Sequence, residues 1–175
     1  MWDWRRWLIG LPLALYVTSD VPVPSAVGES AKRDATAMYE AFLRGDYEVF
    51  AQYTHPRALQ LNGGKAATIA LVSKGMTEMR QQGFVPKSAA VELPSQVVSA
   101  GGELHALLRI TVVMTAPGGE LRAPSHLLGV SSDKGRSWTF MDTAKLTAEN
   151  VKLALPNYNP ALKLPPHTEP TFVPK

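Results

Sequence analysis

Ser131-Ser132-Asp133-Lys134-Gly135-Arg136-Ser137-Trp138 lies between two short runs of strand character, Leu127 to Val130 and Thr139 to Thr143. Its residues have the chemistry of a turn. The Asp133 carboxylate can accept the turn amides, Gly135 supplies a positive φ that other side chains resist, and Trp138 packs beneath the hairpin. Ser131, Asp133, Gly135 and Trp138 are therefore read as structural, with a ligand contact as the competing role for Trp138. A hairpin here makes the C-terminal half of the chain antiparallel sheet.

Toward the N-terminus, Glu103 to Thr115 is the longest alternating run in the chain. One face of it carries Leu104, Ala106, Leu108, Ile110, Val112 and Met114 and belongs to the core. The other carries Glu103, His105, Leu107, Arg109, Thr111 and Val113, and is either a solvated face or a homodimer surface. Ala116-Pro117-Gly118-Gly119 turns this run into a strand from Leu121 to Val130. Ser88 to Leu93 and Gln96 to Val98 make an earlier strand, interrupted by Pro94 at a bulge or an edge.

Before Gly83 the period is helical. Ser30 stands as an N-cap, Ala35, Met38, Tyr39 and Phe42 form one stripe, and Gly45 ends the helix. Asp46 caps a shorter second helix bearing Tyr47, Phe50 and Ala51, which stops near His55 because Pro56 follows. Arg57 to Asn62 reads as a short strand. Gly63-Gly64 leads into a third helix with Ile69, Val72, Met76 and Met79 on one side and Gly83 at its end. A last short helix covers Thr147 to Leu155. Beyond it, six of the chain's 14 prolines fall between Pro156 and Pro174, so this tail is extended, either over the domain or free of it.

The chain has 175 residues, enough for one domain with its own core, and its net charge of +3 does not imply nucleic acid binding. It has no cysteine, so packing alone must hold it. Arg5 and Arg6 precede the apolar run Trp7 to Val17, which at 11 residues falls short of the roughly 20 needed to span a bilayer as a helix. Residues 1–19 read as a signal peptide, which makes the protein exported, periplasmic or secreted. An uncleaved surface anchor using Trp2, Trp4 and Trp7 is the alternative. The expected division is 1–19 signal, 20–28 linker, 29–146 domain, and 147–175 short helix and Pro-rich tail.

Two resemblances enter at this point. The spacing Ser-x-Asp-x-Gly-x-x-Trp resembles the Asp-box of sialidases and related β-propellers, where it caps a hairpin; one copy in a chain too short for blades makes it a local device. The order of helices and strands, with Ala41-Phe42-Leu43-Arg44-Gly45-Asp46-Tyr47-Glu48-Val49-Phe50-Ala51-Gln52-Tyr53-Thr54-His55-Pro56 at the first helix junction, resembles the NTF2-like superfamily over about residues 30–143. That resemblance implies an α+β cone: about three helices closing the concave face of a bent antiparallel sheet around a pocket. In enzymes of this kind the pocket holds a carboxylate or a His-Asp pair that moves a proton beside a carbonyl.

The pocket lining expected from the resemblance is Tyr39, Phe42, Tyr53, Met76, Met79, Met114, Trp138 and Phe140. Candidate catalytic groups are His55 with Tyr53, and His126 with Asp142. His55 also suits a helix-end role, and His126 shares strand parity with Pro124 and Arg122, which favours an outward face at least as much. The four histidines show no metal-ligand spacing, and no cofactor is expected. The leading expectation is an exported, non-catalytic domain that binds a small apolar ligand or a protein partner. The alternatives are a small isomerase, dehydratase or cyclase, and an interaction module acting through the Pro-rich tail.

Overall fold

The computed structural model describes residues 25–144, 146–147 and 149–175; the expected signal segment, and the linker as far as residue 24, lie outside the described residues. Helices come first and a six-stranded antiparallel sheet follows, so the fold is α+β. The first helix, α1 (Ser25–Arg44), starts five residues before Ser30, so Ser30 is not an N-cap and part of the expected linker is helix. Its buried stripe is Ala31, Ala35, Met38 and Ala41. Three alanines among the four let the helix backbone come close to the sheet. Gly45, at φ +78°, closes it with amide bonds from Gly45 to Phe42 and from Asp46 to Ala41, the paired pattern of a left-handed helix stop.

Asp46 then caps α2 (Tyr47–Tyr53), its carboxylate accepting the Val49 amide at 3.1 Å. The strand expected at Arg57 to Asn62 is instead a helix, α3 (Pro56–Leu61). Its start explains the difference: His55 Nδ1 accepts the Arg57 amide at 3.2 Å, and Pro56 at the first helical position is pre-set for a helix. The Gly63-Gly64 pair, both at positive φ, enters α4 (Lys65–Gln81) as expected. Within α4 only Thr68 and Met76 are buried, so it lies loosely over α2.

The sheet is built on two long strands, β3 (Glu103–Ala116) and β4 (Gly119–Ser131), paired along their whole length. Along the free edge of β3 run β1 (Val85–Val91) and β2 (Gln96–Ala100), separated at Pro94. Along the free edge of β4 run β5 (Thr139–Asp142) at one end and β6 (Thr171–Pro174) at the other. Each end of the sheet is thus four strands wide.

Both faces are buried at the β2–β3–β4–β5 end. On the front, Ala106, Leu108, Ile110, Leu127, Trp138 and Phe140 pack against α1. On the back, Leu107, Leu128, Val130 and Met141 pack against a C-terminal layer of Val151, Ala154, Leu155, Tyr158 and Leu162. That layer begins with α5 (Val151–Ala154), shorter than the helix expected from Thr147. It continues as a strap over the back face before joining the sheet as β6. The face carrying His105 is accordingly not solvated at this end, and His105 is completely buried (0% exposed). Arg109, further along β3, is exposed. Among the described residues no helix is long and apolar enough to cross a membrane.

Candidate functional site

The Asp133 carboxylate organises its turn as the residue types predict. One oxygen accepts the Ser131 hydroxyl (2.8 Å) and the amides of Arg136 (2.9 Å) and Ser137 (3.0 Å), and the other accepts the Ser137 hydroxyl (2.7 Å). These bonds, the Ser137 amide first, hold the carboxyl well below the usual carboxylate range. Ser131 Oγ in turn accepts the Gly135 amide at 2.8 Å. Gly135 has φ +85°, and a Cβ there would come within 3.0 Å of Val27 on α1, so the hairpin tip needs glycine for conformation and for room.

The sequence does not announce that this turn is fastened to α1. Asp34 accepts the Trp138 amide at 2.9 Å, Arg33 donates to the Arg136 carbonyl at 3.0 Å, and the Trp138 indole N–H donates to Ser30 Oγ at 3.0 Å. The Ser30 hydroxyl faces the Gly135 and Val27 carbonyls as acceptors. Ser30 and Asp34 are both buried. They are the polar partners of the hairpin, four residues apart on one face of α1.

The candidate His-Asp pair does not form. His126 is registered opposite Arg109 on β3, while Asp142 is registered opposite Leu127, so the two side chains leave opposite faces of the sheet. Asp142 accepts the Ser125 hydroxyl at 3.2 Å and the Ala144 amide at 2.7 Å. On the back, burial and then the Arg109 charge lower the pKa of His126, against the pull of Glu92 and Asp142. His55 is occupied as the cap of α3, and its own amide donates to the Phe140 carbonyl at 2.9 Å. Burial lowers its pKa as well. Tyr53 packs, half-buried, against the front core.

The expected lining residues have several fates. Trp138 and Phe140 are closed in beneath α1, and Gly129 makes room for their rings, which a Cβ at that position would meet within 3.0–3.2 Å. Met114 and Met76 are buried, and Met79 is half-buried on α4. Tyr39 and Phe42 meet edge to face with ring centres 6.0 Å apart. The Tyr39 hydroxyl is pushed far above an ordinary phenol by burial, helped by the charge of Asp142.

Space for a ligand lies on the other side of the sheet. A cavity of about 580 Å³ runs between the strap and the back of β4, walled by Leu146, Leu162, Leu164, Pro165 and Pro166, with Ser125, His126 and Thr143 as its floor. That volume falls within the ordinary range for small-molecule sites. The strap is pinned beside it: Asn159 donates to the Ser99 carbonyl (2.8 Å), Lys163 N donates to Gln96 Oε1 (3.1 Å), and β6 anchors the far end.

A second polar cluster lies under the strap. Asn157 Nδ2 donates to Glu103 (2.7 Å) and to the Ala100 carbonyl (3.1 Å), while His105 Nε2 faces the same Glu103 carboxylate at 3.4 Å. Tyr158 stacks on His105 with ring centres 6.3 Å apart. His105 Nδ1 is buried without a partner among the described residues. Burial lowers the pKa of His105 against the opposing Glu103, and the Asn157 bond leads the lowering at Glu103.

Sequence reasoning placed none of Ser30, Asp34, Asn157 or the strap leucines at a site. One signal was present: Leu127-Leu128-Gly129-Val130 is a continuous apolar run, the mark of a strand buried on both faces. Among the described residues no group of three or more acidic or histidine side chains is placed to hold a metal ion. Comparison of the chain with protein-family models, curated proteins and solved structures found no significant match.

Proposed function

We propose that this chain is an exported, non-catalytic binding domain of NTF2-like kind that takes a small, largely apolar molecule in the groove between its C-terminal strap and the back of the sheet. The observation that carries this reading is the 580 Å³ cavity with leucine and proline walls. The prolines matter because they pre-set the backbone of the strap, so that little conformational freedom is lost when a ligand settles against it. A non-catalytic role is supported by the separation of His126 from Asp142 across the sheet and by the use of His55 as a helix cap. Arg5-Arg6 and the apolar run after them support export, and the helices-then-sheet order supports the NTF2-like reading.

The test is titration of the full chain with an anilinonaphthalene dye, joined to native mass spectrometry of freshly purified protein. Saturable binding at one site is expected, weakened by Leu164→Gln in the groove wall and untouched by Leu71→Gln on the exposed side of α4. Absence of saturable binding, or equal loss in both variants, would overturn the groove as the site.

A further inference from the structure

The charges around the groove are one-sided. Two lysines border it, Lys152 from α5 and Lys163 from the strap, and no described carboxylate is part of its lining. Among the described residues neither lysine ammonium has an ion-pair partner. The carboxylates that touch lining residues are engaged there, Glu169 with His167 at 3.7 Å, Asp142 with the Ser125 hydroxyl at 3.2 Å and Glu149 with the Thr147 side chain.

An apolar cavity bordered by unpaired cations from separate elements is matched by a molecule with an apolar body and one anionic end. Lysine suits a single anionic head because its ammonium is a compact charge that can turn toward the oxygen presented. A cationic ligand would meet two ammonium groups and no carboxylate in the lining itself, and a neutral one would leave the ammonium groups unused. We infer that the groove recognises an amphipathic anion, with its apolar part against Leu146, Leu162 and Leu164 and its carboxylate-like head between Lys152 and Lys163. This inference rests on the proposed groove and adds the chemical class of its ligand.

Three probes of equal chain length separate the two readings: dodecanoate, dodecanol and dodecyltrimethylammonium, each measured below its micelle-forming concentration by displacement of the bound dye from the full chain. Dodecanoate is expected to bind roughly tenfold more tightly than dodecanol, the sum of two part-exposed charge contacts, with the advantage shrinking in high salt. The variant carrying both Lys152→Gln and Lys163→Gln should lose that advantage while keeping its affinity for dodecanol and its melting temperature. If dodecanol binds the parent as tightly as dodecanoate, or the ammonium probe binds best, the anion inference fails while the groove stands. If none of the three displaces dye, or if Leu164→Gln leaves all three unchanged, the groove fails with it.

Discussion

Replacing Ser30 by alanine tests whether the hairpin is fastened to α1 through this hydroxyl or whether Ser30 is a helix cap. Ser30 is 8% exposed and Trp138 2% exposed, so water cannot take the place of the lost oxygen. The indole N–H, 3.0 Å from Ser30 Oγ, and the Gly135 carbonyl would both lose this partner. A buried polar group left unpaired costs about 1–3 kcal/mol, so the two together are expected to cost about 2–6 kcal/mol. In a domain of this size that lowers the melting temperature by roughly 4–24 °C. Trp138→Phe removes the donor from the other side. The double variant should then fall short of additivity by about 1–2 kcal/mol, the worth of the shared bond. A cap serine would behave differently: its loss costs about 1 kcal/mol whatever stands at position 138. Urea unfolding followed by far-ultraviolet circular dichroism measures all four proteins without relying on tryptophan emission. A coupling energy below about 0.3 kcal/mol, within the scatter of independent sites, would refute the fastening and return Ser30 to a purely helical role.

Within the turn, Ser131→Ala leaves the buried Gly135 amide unpaired and should cost about 1–3 kcal/mol, with dye binding by the folded fraction unchanged. Asp133→Ala should destabilise at neutral pH. Because its folded pKa is depressed, the contribution of Asp133 is present above the unfolded value near ~3.9 and is lost as pH falls, so parent and variant should converge in strong acid. A variant of either kind that melts like the parent but loses ligand would make the turn functional instead. On the back face, Leu162→Ala should cost about 2–5 kcal/mol, and deletion of residues 157–175 should expose Leu107, Leu128 and Val130 and raise dye binding nonspecifically; a truncated chain that melts normally would mean the strap is dispensable. Finally, His55, His105 and His126 all have lowered pKa values in the fold. The unfolded chain therefore takes up protons first as pH drops below ~6.5, and stability should fall between pH ~6.5 and ~5 by at most about 1.4 kcal/mol per unit for each histidine. His105→Gln should make that slope shallower in urea midpoints; an unchanged slope would show that His105 does not contribute.

How far the fold could be read in advance depended on whether a residue's partner was close in sequence. Asp133 and Ser137 are four apart, Asp46 and Val49 three apart, and both devices stand where their residue types put them. The alternation of Glu103 to Thr115 likewise assigned the front core correctly, because a strand's period is local. Ser30 failed for the opposite reason. A serine before an apolar stripe resembles a cap, and only the return of the chain more than one hundred residues later supplies its real partner, Trp138. Arg57 to Asn62 is helix and not strand because His55-Pro56, a stop for one helix, is also the start of the next. The candidate dyad failed on register. His126 and Asp142 lie on neighbouring strands, yet the pairing of Asp142 with Leu127 sends them to opposite faces, and a one-residue change of register would have reversed that outcome.

The two faces of the sheet are closed by opposite ends of the described chain, and the means of closure differ in a way that bears on function. On the front, small alanines bring α1 against the strands, and buried polar bonds from Ser30 and Asp34 fix it there. That arrangement leaves the Trp138 and Phe140 rings fully enclosed. On the back, apolar packing by Tyr158 and Leu162 seals one end, and the strap then spans to β6 held at separated points by Gln96, Ser99 and the β4 edge. A proline-stiffened segment anchored at intervals cannot collapse onto the strands between its anchors, and space remains beneath it. The groove is thus a consequence of how the C-terminal layer is attached. Shortening the strap between Lys163 and Thr171 should draw it onto Ser125 and His126 and abolish ligand binding before it abolishes folding.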